Sequence, residues 1–138
     1  MNDAEFLAAL EDRSLPESEF THRNHLRAGW LYLDRHPLSE ASMHCALAIQ
    51  KYAAAMGAPG KFHLTLTLAF MHIIAGLREQ HPAPDWKSFL SACPDLLNDG
   101  KALIARYYSD AVLGSEQARR TFVPPDREPL PKPEPLSA

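Results

Sequence analysis

Apolar residues recur at helical spacing along most of this chain, and no stretch alternates apolar and polar residues for long enough to form a strand. Asn2 or Asp3 can cap a first helix that ends at about residue 11. Longer helices are predicted over 22–36, after the cap Thr21, and over 39–57 and 61–80. Three shorter helices are predicted as well. One begins after Asp85, one contains residues 103–108, and one spans residues 115–120. The pattern indicates an all-α, compact single-domain bundle of about five to seven helices.

The segment over 61–80 is apolar on most of its circumference, which is typical of a helix with neighbours on several sides. We therefore expect it to be the central helix. Counted from His63, its inward stripe holds Thr67, Phe70, Ile74 and Leu77. The helix before it is expected to bury a stripe made of Ser42, Cys45, Ile49, Tyr52, Ala53 and Met56.

Six of the twelve prolines fall in the last fifteen residues of the chain. We therefore divide the chain into a helical domain, 1–123, and a Pro-rich extended tail, 124–138. Because residues from Glu128 onward contain few apolar side chains, they are expected to be dispensable to the fold.

Composition narrows the functional classes. The 138 residues carry a net charge of −3, so a polyanion-binding surface and a nucleic-acid partner are not expected. No basic start followed by an apolar run is present, and no apolar stretch is long enough to cross a bilayer, so we predict a cytoplasmic protein with no membrane partner. Cys45 and Cys93 match no zinc-binding spacing and are predicted to be buried thiols.

Three histidines form the most specific chemical pattern. His22 and His25 lie one helical turn apart on the apolar stripe of their helix, next to Gly29. His63 lies in the first turn of the predicted central helix. If the two helices face each other, the three imidazoles could hold one divalent metal ion with an open coordination position. Gly29 would let the neighbouring helix approach closely. The alternative is that these histidines only bond to nearby carbonyls and support the fold.

Other residues could line a pocket beside this site. Four residues are candidates: Arg27, Trp30, Thr67 and Tyr107. The first two lie on the helix of His22 and His25, Thr67 lies on the predicted central helix, and Tyr107 lies on a later helix. Trp30 is also a natural core residue, and Arg27 could form a surface salt bridge instead. Glu40 and His44 are four residues apart, and we expect a solvent-exposed ion pair between them.

Several segments together resemble a group of short, all-helical bacterial proteins with no assigned activity. The first is Phe20-x-His22-x-x-His25-Leu26-Arg27-x-x-Trp30-x-Tyr32-Leu33, and the second is Phe62-His63-x-Thr65-x-Thr67. Two later segments extend the resemblance, Arg106-Tyr107-Tyr108-Ser109 and Ala118-Arg119-Arg120-x-Phe122-Val123-x-Pro125-Asp126-Arg127. In that group the residue after the mid-chain histidine is often glutamate, whereas here it is Leu64. The resemblance implies that the two histidine segments form one site, and it implies no substrate.

The leading hypothesis is a small metal-binding protein, a metalloenzyme in which His22, His25 and His63 hold zinc, iron or copper. A first alternative is a non-enzymatic module that binds a small molecule, or a protein partner through the Pro-rich tail, with structural histidines. A second alternative is a metal-free enzyme that uses His22 or His63 as a general acid or base.

Overall fold

The computed structural model describes residues 1–132, and residues 133–138 lie outside the description. The described part is all-α and has no strand. Its helices are α1 (Asp3–Glu11), α2 (His22–Arg35), α3 (Leu38–Ala55), α4 (Leu64–Gln80), α5 (Trp86–Ala92), α6 (Asp95–Asn98), α7 (Gly100–Ala105), α8 (Asp110–Leu113) and α9 (Glu116–Arg120). None of these helices is both long and apolar enough to cross a membrane.

Side-chain caps start several helices where the sequence predicts them. Asn2 forms a capping box with Glu5 at the start of α1, and the Thr21 hydroxyl accepts the Asn24 N–H at the start of α2. Asp85 caps α5 through the Ser88 N–H. The predicted positions of these three starts are confirmed.

Helix α4 occupies the centre of the bundle, as expected, and packs against α2, α3 and α9. Close approach of α2 and α4 depends on Gly29. A Cβ atom at Gly29 would lie 2.9 Å from Met71 Sδ and 3.2 Å from Ile74 Cδ1, both on α4. The neighbours of Gly29 are therefore side chains of the central helix, rather than its backbone.

The start of α4 differs from the prediction. Residues Pro59–Lys61 form a 3₁₀ turn, Phe62 is extended and buried, and the α-helix begins only at Leu64. His63 precedes the helix as its N-cap, so it does not belong to the first helical turn. The periodic pattern could not mark this boundary because apolar residues continue through Phe62.

Two short helices, α6 and α8, were not predicted, because a single turn is too short to show periodicity. The predicted helix over 103–108 is also shorter, since α7 ends at Ala105 and the two tyrosines follow it. On α3, five residues of the predicted inward stripe are buried, but Met56 is 36% exposed because the helix ends at Ala55.

The first part of the Pro-rich tail packs on the helical body, contrary to the expectation for residues from Glu128 onward. The backbone N–H groups of Arg127 and Glu128 donate to the carbonyls of Tyr107 and Arg106. Leu130 is 7% exposed and belongs to the hydrophobic core. Residues 128–132 are therefore more closely packed than the sequence suggests, and whether the fold can do without them stays a prediction.

Candidate functional site

A cavity of about 90 Å³ lies between α2, α3 and α4. Its wall combines two imidazoles and one hydroxyl with apolar side chains: His22, His25, Leu26, Cys45, Ile49, Leu66, Thr67, Phe70, Met71 and Ile74. Burial raises the pKa of the Cys45 thiol to about 12, so Cys45 stays protonated and acts as a small apolar residue. The cavity is therefore mostly apolar, with its polar groups concentrated on α2.

His25 is the most unusual group in this wall. Its ring packs edge-on against Phe20, with ring centroids 4.4 Å apart, and its Nε2 atom is buried with no hydrogen-bond partner within residues 1–132. Burial, and to a smaller extent the nearby His22, lowers the pKa of His25 to about 4. The imidazole is therefore neutral at pH 7. A buried polar atom of this kind costs free energy until a bound molecule or water becomes its partner.

His22 separates the cavity from a wider outer cleft. Its Nε2 atom lies 3.2 Å from the Leu96 carbonyl oxygen, and its ring meets Phe70 edge-on at 5.8 Å. The outer cleft has a volume of about 460 Å³ and shares His22, Leu66 and Phe70 with the inner cavity. Gly100 lies in the wall of the outer cleft, close to His22. A Cβ atom added at Gly100 would lie 3.3 Å from His22 Nε2. His22 and Phe70 therefore stand where a molecule would pass inward.

His63 does not line this cavity, and both of its ring nitrogens are already occupied. Nδ1 accepts the Leu66 N–H over 3.0 Å, which caps α4, and Nε2 lies 2.7 Å from the Leu113 carbonyl oxygen. This arrangement requires the neutral tautomer with the proton on Nε2. His63 would have to abandon at least one of these bonds in order to ligate a metal.

Within residues 1–132, no three His, Cys, Asp or Glu side chains are grouped closely enough to hold a metal ion. The structure brings His22 and His25 to one cavity and leaves His63 at the start of α4. The metal-bound state of a three-histidine site stays a prediction.

The structure places the four candidate pocket residues in different surroundings. Thr67 lines the cavity, although its hydroxyl donates to the His63 carbonyl. Arg27 lies outside this wall, where it donates to the Asp3 carboxylate at 2.7 Å and stacks over Phe6.

The remaining two candidates belong to the hydrophobic core. Trp30 is 4% exposed and packs against Trp86 and Phe89. Tyr107 is 8% exposed, and its carbonyl accepts the Arg127 N–H.

The mid-chain motif has a structural role that the sequence did not reveal. The Thr65 hydroxyl, fully buried, donates to the Thr121 carbonyl over 2.7 Å and accepts the Val123 N–H over 3.0 Å. The Tyr108 hydroxyl donates to the Val123 carbonyl over 2.6 Å. These bonds join the segments 62–67, 106–109 and 118–127, and they fasten the chain after α9 to the start of α4.

The α4 side of the cavity could be anticipated from the sequence better than the α3 side. Thr67, Phe70 and Ile74 share the stripe counted from His63, and all three line the cavity. Cys45 and Ile49 were expected only as core residues. Their helical spacing is the same whether the buried stripe packs fully against its neighbours or borders a cavity.

The remaining surface histidines lie away from the cavity. Glu40 Oε2 lies 3.7 Å from His36 Nδ1, so its partner is His36 and not His44. His44 stacks on His36 with ring centroids 4.4 Å apart. The expected ion pair between Glu40 and His44 is therefore wrong.

Comparison with protein-family models, with curated proteins and with solved structures found no match to this chain.

Proposed function

We propose that this protein binds a small, mostly apolar molecule in the cavity between α2, α3 and α4, with His25 as its polar contact. The observation that carries this proposal is the buried, unpartnered Nε2 atom of His25 in a mostly apolar wall. Ligand sites combine such walls with a small number of polar groups that fix orientation.

The size of the cavity limits the ligand. A cavity of about 150 Å³ holds benzene, so a cavity of about 90 Å³ suits a branched group of a few heavy atoms. A larger molecule would continue past His22 and Phe70 into the outer cleft, where Asn98, Asp99 and Lys101 supply polar groups.

At His25 itself, ligand binding is favoured over acid–base catalysis because of the protonation state of its ring. A general base works best when its pKa is near the working pH. The pKa of His25, about 4, leaves a neutral ring that is a weak base at pH 7. Such a ring is well suited to hydrogen bonding with an uncharged group.

Two isomeric alcohol and ether probes test the proposal. We expect 2-methylpropan-1-ol, which has a hydroxyl donor, to shift NMR signals of cavity residues such as Met71 and Ile74 at lower concentration than methyl propyl ether does. His25→Leu should remove the difference between the two probes, whereas His44→Leu, on an exposed histidine outside the cavity, should keep it. Saturating signals from neither probe would contradict the proposal.

A metal-dependent enzyme is the second candidate, and a specific observation favours it. His22 and His25 line the same cavity, and the neutral imidazole of His25 is the form that a metal requires. Two nitrogens would come from α2, and His63 would add a third only by releasing its cap. Zinc, iron or copper are the ions that imidazole ligands suit.

Metal addition to metal-free protein tests this candidate. Bound metal should raise the melting temperature, and His22→Ala or His25→Ala should abolish that increase, because each removes a ligand. His44→Ala should leave it unchanged. Equal melting temperatures with and without zinc, iron and copper would contradict a metal site.

A further inference from the structure

An apolar groove lies on the face of the bundle formed by α3, α4 and the segment after α9. It has a volume of about 460 Å³ and is lined by Ser39, Ser42, Met43, Leu68, His72 and Phe122. It shares no residue with the cavity described above. Met43 is 72% exposed and Phe122 is 41% exposed, so two large apolar side chains face solvent next to each other. The groove therefore offers an apolar surface that a short apolar side chain could cover.

One polar atom in the groove also needs a partner. The Ser42 hydroxyl oxygen is buried and makes no hydrogen bond within residues 1–132. A hydroxyl can both donate and accept, so it suits a backbone amide group of a bound segment.

The chain itself leads to this groove. Pro131 packs on Gly76, where a Cβ atom would lie 3.0 Å from Pro131 Cβ. His72 Nδ1 lies 2.8 Å from the Lys132 carbonyl oxygen and 3.1 Å from that of Pro131. Because both partners are acceptors, Nδ1 carries the proton.

Gly76, His72 and Leu68 follow one another at one-turn intervals along α4. Pro131 contacts the first of these residues, and the Lys132 carbonyl contacts the second, which lines the groove. The described chain therefore runs toward the start of α4 and reaches the rim of the groove at its last residue. Its Lys132 side chain reaches back to Glu79, with 2.5 Å between Nζ and Oε2, and forms a solvent-exposed ion pair there.

We propose that the six residues after Lys132, Pro-Glu-Pro-Leu-Ser-Ala, bind in this groove, with Leu136 covering Met43, Leu68 and Phe122. Leu136 is the only large apolar residue in the segment. Four extended residues reach about 13 Å, which exceeds the roughly 5 Å between successive turns of α4. Prolines restrict the unbound segment, so it loses less conformational entropy on binding.

Oxidation of methionine by dilute peroxide tests the proposal in the 138-residue chain. Met43 and Met1 are both exposed in residues 1–132, at 72% and 61%, so Met1 serves as an internal reference. A covering Leu136 should make Met43 react several-fold more slowly than Met1. Mass spectrometry of proteolytic fragments measures the two rates separately.

Two single variants give a matched comparison. Leu136→Asp should raise the Met43 rate to that of Met1, because a charge does not enter the apolar groove. Ser137→Asp, which adds the same charge at the next residue, should leave Met43 protected. Equal Met43 rates in the original chain and in Leu136→Asp would overturn the proposal.

Protection that increases with protein concentration would also overturn it, because a second copy of the chain would then fill the groove. Neither outcome bears on the proposed ligand binding in the cavity between α2, α3 and α4, since the groove and the cavity share no lining residue.

Discussion

His63 Nε2 donates to the carbonyl oxygen of Leu113 over 2.7 Å, across fifty residues of sequence, while Nδ1 of the same ring caps α4. One imidazole therefore fixes both the first turn of the central helix and the end of α8. The neighbouring Thr65 fastens the chain after α9 in the same way. This corner of the bundle depends on side-chain hydrogen bonds to distant backbone groups.

We expect His63→Ala to lower the free energy of unfolding by about 1–3 kcal/mol, because the helix loses its cap and the Leu113 carbonyl loses its donor. The loss should be the same in metal-free protein and in protein with added zinc. Urea denaturation measures it.

His63→Asn provides the control, since asparagine caps helices well but is too short to reach Leu113. It should recover part of the loss. If His63→Ala left metal-free protein as stable as the original yet removed stabilisation by zinc, His63 would be a ligand rather than a cap.

The buried ring of His25 makes stability depend on pH. Its pKa is about 4 in the folded protein, below the ordinary value of 6.5, so as the pH falls the unfolded chain takes up the proton first. The stability associated with the neutral ring is complete above about pH 6.5 and is lost progressively toward pH 4. The total loss is on the order of 3 kcal/mol.

Urea unfolding at pH 7 and pH 4.5 measures this dependence. His25→Leu should lose less stability between the two pH values than the original chain does, because it lacks the titrating group. His44→Leu should behave like the original chain. An identical pH dependence for His25→Leu and the original chain would contradict burial of a neutral His25.

The packed part of the tail should contribute measurably to stability. We expect Leu130→Ala to cost about 2 kcal/mol, because Leu130 is 7% exposed and its removal leaves a cavity in the core. Pro129→Ala, at the exposed neighbouring position, is the matched control and should change stability little. Thermal unfolding distinguishes the two, and equal melting temperatures would mean that the tail is not packed in solution.

Gly29 should couple helix packing to the cavity. A Cβ atom there would displace Met71 and Ile74, which line the cavity. We expect Gly29→Ala to destabilise the fold by about 1–3 kcal/mol and to weaken binding of 2-methylpropan-1-ol.

Gly60→Ala is the control for this substitution, because a Cβ atom at Gly60 meets no other atom within 4 Å. It should leave both stability and binding nearly unchanged. Unaltered alcohol binding in Gly29→Ala would separate the cavity from the contact between α2 and α4.

The sequence alone determined the local features of this protein. Asn2, Thr21 and Asp85 start helices because a cap bonds to backbone N–H groups within three residues, and such bonds depend on near neighbours only. The segment over 61–80 is apolar on most of its circumference, and this pattern also identified the central helix, α4. A helix that is buried on several sides requires apolar residues on several faces.

Tertiary structure alone decided what the histidines do. The sequence places His22, His25 and His63 alike, each near the start of a helix and on its apolar stripe. In the structure, His22 and His25 line a cavity, and the His25 ring is buried. His63 instead caps α4 and bonds to Leu113. Residues from Glu128 onward were likewise expected to be dispensable to the fold, yet Leu130 is buried in the core. The partners that decide these roles lie tens of residues away in sequence. Helical periodicity specifies which face a residue occupies, but not which distant backbone group that face meets.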